Sequence, residues 1–278
     1  MSDSLPIEHP EQSALRAEID VLRTRLAERM AEEHELLVVV KPNLLALYQR
    51  KLGAWELRRL QAEVEVRGMR RRIELAQAAI NRSTRPDWPA IEAAIEEELL
   101  RWKQQVSETI ERIAAAELRL GHLLSPEDAS ELKRLHRSLV LRLHPDLDPT
   151  GSSEQRRALW DQVQRAYEQG DVEGLRALDL VIGTDAPTPS TWSGLESLRQ
   201  EKERLGRQLA TIEDRCRHLL SQAPWSMRDS LEDPEWIAAR RADADARIAQ
   251  LEAERSRLEP ILAQLLPSTG YGRVFGSN

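Results

Sequence analysis

The chain has 278 residues and a formal net charge of −7, with 4% aromatic residues against 31% charged and only 12 glycines. A composition this rich in charge and this poor in Gly and aromatics argues for long helices and against a compact enzyme built on Gly-rich turns. The single cysteine, Cys216, excludes an internal disulfide framework and a Cys-cluster zinc site.

Residues 1–40 form an N-terminal segment. Its opening, MSDSLPIEHPEQS, has no basic stretch followed by an apolar run, and the longest apolar stretch, Leu36 to Val40, is far too short to span a bilayer. A soluble, reducing compartment is therefore expected, most simply the cytoplasm. Leu15, Ile19, Leu22 and Leu26 recur at spacings 4, 3 and 4, which predicts a short amphipathic helix. Pro42 and Asn43 are then expected to stop and restart the chain.

From Leu45 through Tyr48, Leu52, Trp55, Arg59, Ala62, Val66, Met69, Ile73 and Ala76 to Ile80 the spacing alternates 3 and 4, a heptad seam. Ser83 to Pro89 carries two prolines after Thr84 and a capping Asp87, so it reads as a turn. A second long helix follows, with Ile91, Ile95, Leu99, Trp102, Val106, Ile110, Ile113 and Leu120 on one side. The stretch Lys41 to Arg85 holds eleven bases and four acids, whereas Pro86 to Asp128 holds ten acids and four bases. Arms of about +7 and −6 suit antiparallel packing, so residues 41–124 are expected to form a long helical hairpin. Each exposed ion pair adds only about 0.2–1 kcal/mol, so the charges orient the arms and the buried seam holds them.

Residues 125–183 read as a separate small module. Ser125-Pro126 with Glu127 and Asp128 is a helix start, with Pro in the first turn and acids at the positive end of the dipole. Leu132, Leu135, Leu139 and Leu143 make one apolar stripe, while Lys133, Arg134, Arg137 and Arg142 lie off it and are expected to face water. Pro145 ends the helix by removing a donor and by pushing His144 out of the α region. A loop through Gly151 leads to a second helix with Trp160, Val163 and Tyr167, both aromatics being core residues. Gly170-Asp171 pairs a C-cap with an N-cap, and a third short helix runs to about Ile182. Taken alone, the His144-Pro145-Asp146 turn is a helix stop with a turn-favouring Asp, and the basic residues are an ordinary solvated face.

The segment 184–193, TDAPTPST and its flank, reads as a linker. Leu195, Leu198, Lys202, Leu205, Leu209, Ile212, Cys216 and Leu219 then form another unbroken seam. A proline-containing turn follows, and a return helix carries Ile237, Ala244, Ile248, Leu251, Leu258, Leu262 and Leu265. Residues 194–266 are thus expected to form a second antiparallel hairpin, with a tail at 267–278. Such seams close within one chain or between two, and periodicity does not choose, so a homodimer stays open. Cys216 on the seam is a buried small hydrophobe. His122, His136 and His218 lack carboxylate or Cys neighbours at ligand spacing, so no metal is expected. Arg70-Arg71-Arg72 could touch nucleic acid, but the acidic arm opposite favours packing, and no nucleic-acid partner is expected.

A helix with a basic outer face, Lys133 to Leu143, then His144-Pro145-Asp146, then a helix running from Trp160 to Ala166-Tyr167, together resemble the J-domain, the activator of DnaK-type chaperones. The resemblance covers about a fifth of the chain. It implies an all-α, non-enzymatic co-chaperone without cofactors, which binds a DnaK-type chaperone ATPase and accelerates its ATP hydrolysis. The partner-binding residues it implies are His144, Pro145, Asp146, Lys133, Arg134, Arg137 and Arg142. The basic face would meet an acidic surface, Asp146 would pair with a partner arginine, Pro145 would fix the loop, and His144 would stabilise the turn.

The chain departs from the pattern at several points. The usual first helix is missing, and the end of the long helix, Ala114 to Leu124 with Leu120-Gly121, is expected in its place. His136 stands where Tyr is common, Ser138 and Leu147 stand where basic residues are common, and the Gln-Lys-Arg motif of the last helix is absent. Nothing corresponds to the Gly/Phe-rich segment or the zinc-binding repeats of full-length DnaJ. The hairpins would position the module or recruit a client protein. The rival reading is a structural coiled-coil adaptor whose module binds without activating. An enzyme finds no support in any phosphate loop, nucleophile constellation or metal cluster.

Overall fold

A computed structural model describes residues 10–147, 153–183 and 194–266, and among these every regular element is helical. The expected linker 184–193, the tail 267–278 and Gly151 lie outside the described residues. The helices are α1 (Pro10–Glu35), α2 (Lys41–Tyr48), α3 (Ala54–Asn81), α4 (Trp88–Gly121), α5 (Pro126–Leu143), α6 (Glu154–Gln169), α7 (Val172–Ile182), α8 (Leu195–Ser221), α9 (Arg228–Glu232) and α10 (Pro234–Leu265). No helix among the described residues is long and apolar enough to cross a membrane.

The predicted break at Pro42-Asn43 does not occur. Wide π-helical turns at Leu36–Val40 and Gln49–Gly53 flank α2, so helix follows helix from Pro10 to Asn81. Lys41 N–H donates to the Leu36 carbonyl five residues back, and this wider turn accommodates Pro42, which has no N–H to give and whose ring needs room in the preceding turn. The short amphipathic helix around Leu15 to Leu26 is likewise one part of a much longer α1.

Two compact units divide the chain, Met1–Leu44 with His122–Met227, and Leu45–Gly121 with Arg228–Asn278. In the second unit α3 and α4 form the antiparallel pair expected from their seams and opposite charge. Arg72 makes a double hydrogen bond to Glu92 at 2.8 Å, and Arg71 reaches Glu98 at 2.8 Å. Asp87 caps α4 by accepting from the Ala90 N–H at 3.2 Å. A Cβ on Gly68 would lie 3.2 Å from the Leu99 methyl, so this glycine sets the close approach of the two helices. Helix α10 lies along α3, and Arg58–Asp245, Glu63–Arg247 and Glu65–Arg255 ascend together, so the two run in the same direction. Ile73, Ala76, Ile91, Ile95, Leu99 and Leu262 form the core between the three helices.

In the first unit α1 and α8 also run side by side in one direction, as the rising pairs Glu11–Arg199, Glu18–Lys202, Arg25–Glu213 and Glu33–Arg215 show. The second antiparallel hairpin expected at 194–266 is therefore corrected: α8 packs on α1, and α10 packs on α3. The seam itself is real, because Leu198, Leu205, Leu209, Ile212 and Cys216 are all buried. A heptad stripe records that something covers the helix but does not name the cover. One continuous core joins Ile19, Leu26 and Ala31 of α1 to Leu135 and Leu139 of α5, Val163 and Tyr167 of α6, Leu175 of α7 and Leu205 of α8. Trp225, just after α8, is buried, and its indole N–H donates to the Leu36 carbonyl at 3.1 Å.

Candidate functional site

Helix α5 starts and stops as its sequence dictates. Ser125 Oγ accepts from the Asp128 N–H at 3.0 Å, with Pro126 in the first turn. Leu132, Leu135, Leu139 and Leu143 are all buried. At the other end the last carbonyls need partners because Pro145 supplies no N–H. His144 N–H closes the final turn on Val140 at 3.0 Å, and the Arg156 guanidinium of α6 donates to the Arg142 carbonyl.

The His-Pro-Asp turn is a single 3-10 turn, Pro145–Leu147, with Leu147 N–H donating to the His144 carbonyl at 3.0 Å. The Asp146 N–H donates to His144 Nδ1 at 3.2 Å, so the imidazole locks the residue two positions on. Its ring stands edge-on to Trp160 with centroids 5.0 Å apart. Burial pushes the His144 pKa down against the pull of Asp146 and so favours the neutral ring, and the Asp146 N–H selects the tautomer whose Nδ1 accepts. Leu147 anchors the turn in the core, whereas the Asp146 side chain points to water. The turn thus presents one carboxylate on a braced backbone.

The basic residues of α5 divide into three kinds. Arg134 and Arg137 are exposed, Arg134 lying in a double hydrogen bond with Glu131 of its own helix at 2.8 Å. Lys133 is half-buried and pairs with Glu35 of α1 at 2.5 Å. Arg142, expected to face water, does not: its side chain is only 12% exposed and is bound to Asp179, to the Gly183 carbonyl and to Ser138 Oγ. The reason is that α7 ends beside α5 and offers Asp179 of its last turn and the carbonyl of its C-cap Gly183 to the nearest guanidinium. Arg142→Ala is expected to lower stability by about 1–3 kcal/mol in a denaturant titration. Arg134→Ala, at a side chain 63% exposed, is expected to change it by no more than about 0.5 kcal/mol.

The helix packed on α5 from outside the module is α1, and this corrects the expectation that Ala114 to Leu124 fills that place. Helix α4 ends at Gly121, in the other unit. Sequence reading also missed His34 of α1. Its Nδ1 lies 3.3 Å from His136 Nε2, and His136, 1% exposed, stacks on Tyr167 with ring centroids 3.8 Å apart. No local signal marks this pair, since its members are far apart in sequence and His34 stands in no motif. Arg70, Arg71 and Arg72 are engaged by Glu254, Glu98 and Glu92 respectively. Among the described residues no group of three or more His, Cys, Asp or Glu side chains is placed to hold a metal ion.

No family model, no curated protein and no solved structure matches the chain.

Proposed function

We propose that the chain is a co-chaperone of J-domain type, which engages a DnaK-type ATPase through the His144-Pro145-Asp146 turn and stimulates its ATP hydrolysis. The observation that carries this reading is an exposed Asp146 at the end of α5, on a turn braced by His144, Trp160 and Leu147, with exposed Arg134 and Arg137 farther back along the same helix. Such a surface suits a partner with an acidic patch and one cation placed to meet Asp146, giving steering from the arginines and register from the carboxylate. No bond is made or broken by this protein; hydrolysis occurs in the partner. The reading places the protein in the cytoplasm, and client recruitment falls to the long helices outside the module.

A second reading has its own support. Arg142 and Lys133 are already engaged within the chain, which leaves a narrower basic face than the sequence offered. That favours an adaptor which binds such a partner without activating it. Single-turnover ATP hydrolysis by the source organism's own DnaK-type chaperones separates the two. Acceleration by the full chain that falls by at least about tenfold with His144→Gln or Asp146→Asn is the expected result. Binding without acceleration would leave the adaptor, and neither would remove both readings.

A further inference from the structure

Arg204 of α8 reaches the back of the turn. Its Nε and Nη2 take the two carboxylate oxygens of Glu201 at 2.7 and 2.8 Å, a forked pair that fixes the plane of the guanidinium. The remaining nitrogen, Nη1, is thereby aimed, and it donates to Gln208 Oε1 at 2.9 Å and to the Asp146 carbonyl at 3.3 Å. Glu201 is itself buried, its side chain 3% exposed, and on its other side lies Arg23 of α1 at 3.7 Å, 5% exposed. Arg23 Nε and Nη2 make no hydrogen bond among the described residues, so Glu201 is the carboxylate that compensates this buried charge. One buried carboxylate therefore serves two guanidiniums, and through Arg204 it ties the α1–α8 pair to the backbone of Asp146.

The other restraints on the turn act on different atoms. His144 holds the Asp146 N–H, and Leu147 N–H holds the His144 carbonyl. The peptide that follows Asp146 is oriented by Arg204. We propose that Arg204 is a positioning residue for the partner-facing Asp146, with Glu201 as its anchor, so that the working element is a composite of α5 and α8 and is not contained in residues 125–183. This rests on the turn being the partner-binding element. Arg204 acts through the backbone, and Asp146 makes the contact.

The test uses the full-length protein with Arg204→Ala and Arg204→Lys, read in two ways. Amide hydrogen exchange followed by NMR is expected to rise about tenfold or more at Asp146 and Leu147 in Arg204→Ala beyond any rise at the Leu139 amide, which reports the change in global stability. In ATPase stimulation the half-saturating concentration is expected to rise about tenfold with little change in the maximal rate, since the turn still forms once bound. Lys keeps one donor and loses the fork, so it should fall between. Turn amides that exchange as in the unchanged protein would overturn the proposal, and so would faster exchange with an unaltered half-saturating concentration. If the unchanged chain stimulates no DnaK-type partner, the functional reading fails, while the exchange data still decide whether α8 sets the turn.

Discussion

Leu26→Asp is expected to unfold the unit that carries the His-Pro-Asp turn, although Leu26 lies far upstream of it in the chain. Leu26 is fully buried in α1, within the same core as Leu135, Leu139, Val163 and Leu205. Burying a Leu or Ile side chain contributes about 1.5–3 kcal/mol, which the substitution forfeits. The aspartate would also have to shed its hydration or take up a proton, and pairing with Arg23 one turn back would draw that guanidinium from Glu201. The combined loss is about 4–5 kcal/mol or more, a large share of the roughly 5–15 kcal/mol that holds a domain. Val21→Asp on the same helix is the control, since Val21 is 59% exposed, and it should shift stability by no more than about 0.5 kcal/mol. Urea unfolding followed by circular dichroism, with near-ultraviolet signal from the Trp160 region, would separate the cases. If Leu26→Asp unfolds like the unchanged protein, α1 is an appendage and the module stands without it.

That prediction turns on the one kind of information the sequence withheld. Much of the local structure was legible, Pro42 apart, whose missing N–H the wide turn at Leu36–Val40 absorbs without a break. The stripe Leu132, Leu135, Leu139, Leu143 marked the buried face of α5, and Ser125 marked its first turn, because caps and periodicity are decided within a few residues. Gly170 was readable as a C-cap for the same reason, and it adopts φ 70°, a conformation glycine takes without strain. The α3–α4 pair was legible too, since a tight turn and opposite charges leave little choice of partner. The partners of α8 and α10 were not. Leu205 and Leu209 announce a buried stripe, but the same stripe fits α10 as an antiparallel neighbour or α1 as a parallel one. Only the whole three-dimensional arrangement decides, and it decides for α1.

The candidate site shows the same division. His144, Pro145 and Asp146 were found because a proline at a helix end has a local consequence. Arg142 was misjudged because its spacing on α5 says only that it leaves the apolar stripe, and the groups that capture it, Asp179 and the Gly183 carbonyl, belong to a later helix. Arg204 and Glu201 fell on no motif. On α8 they look like an ordinary i, i+3 surface pair, and the burial of Glu201 follows from the unforeseen neighbour α1.

Acidification is expected to weaken the first unit through the His34–His136 pair. Burial pushes the His136 pKa down to about 3, with His34, His144 and Arg137 adding like-charge repulsion. His34 is also pushed down by burial, though Glu168 of α6 and Glu33 of its own helix pull the other way. Of the two aromatic rings stacked on His136, Trp160 does not titrate and Tyr167 is a neutral phenol, burial holding its pKa above the usual value. Folding therefore holds His136 neutral, while the unfolded chain binds a proton below about pH 6.5. The stability this neutral pair supports is complete above that pH and is lost progressively as pH falls toward 3, at about 1.4 kcal/mol per pH unit from His136 alone. Going from pH 6.5 to 5 should then remove about 2 kcal/mol, or roughly 4–8 °C of melting temperature for a unit of this size. His136→Phe keeps the stack on Tyr167 and removes the titrating nitrogen, so its melting temperature should vary far less across the same range. A profile equally steep in both proteins would assign the acid sensitivity to other groups. A steep profile in the unchanged chain alone would show that the junction of α1 with α5 requires a neutral His136.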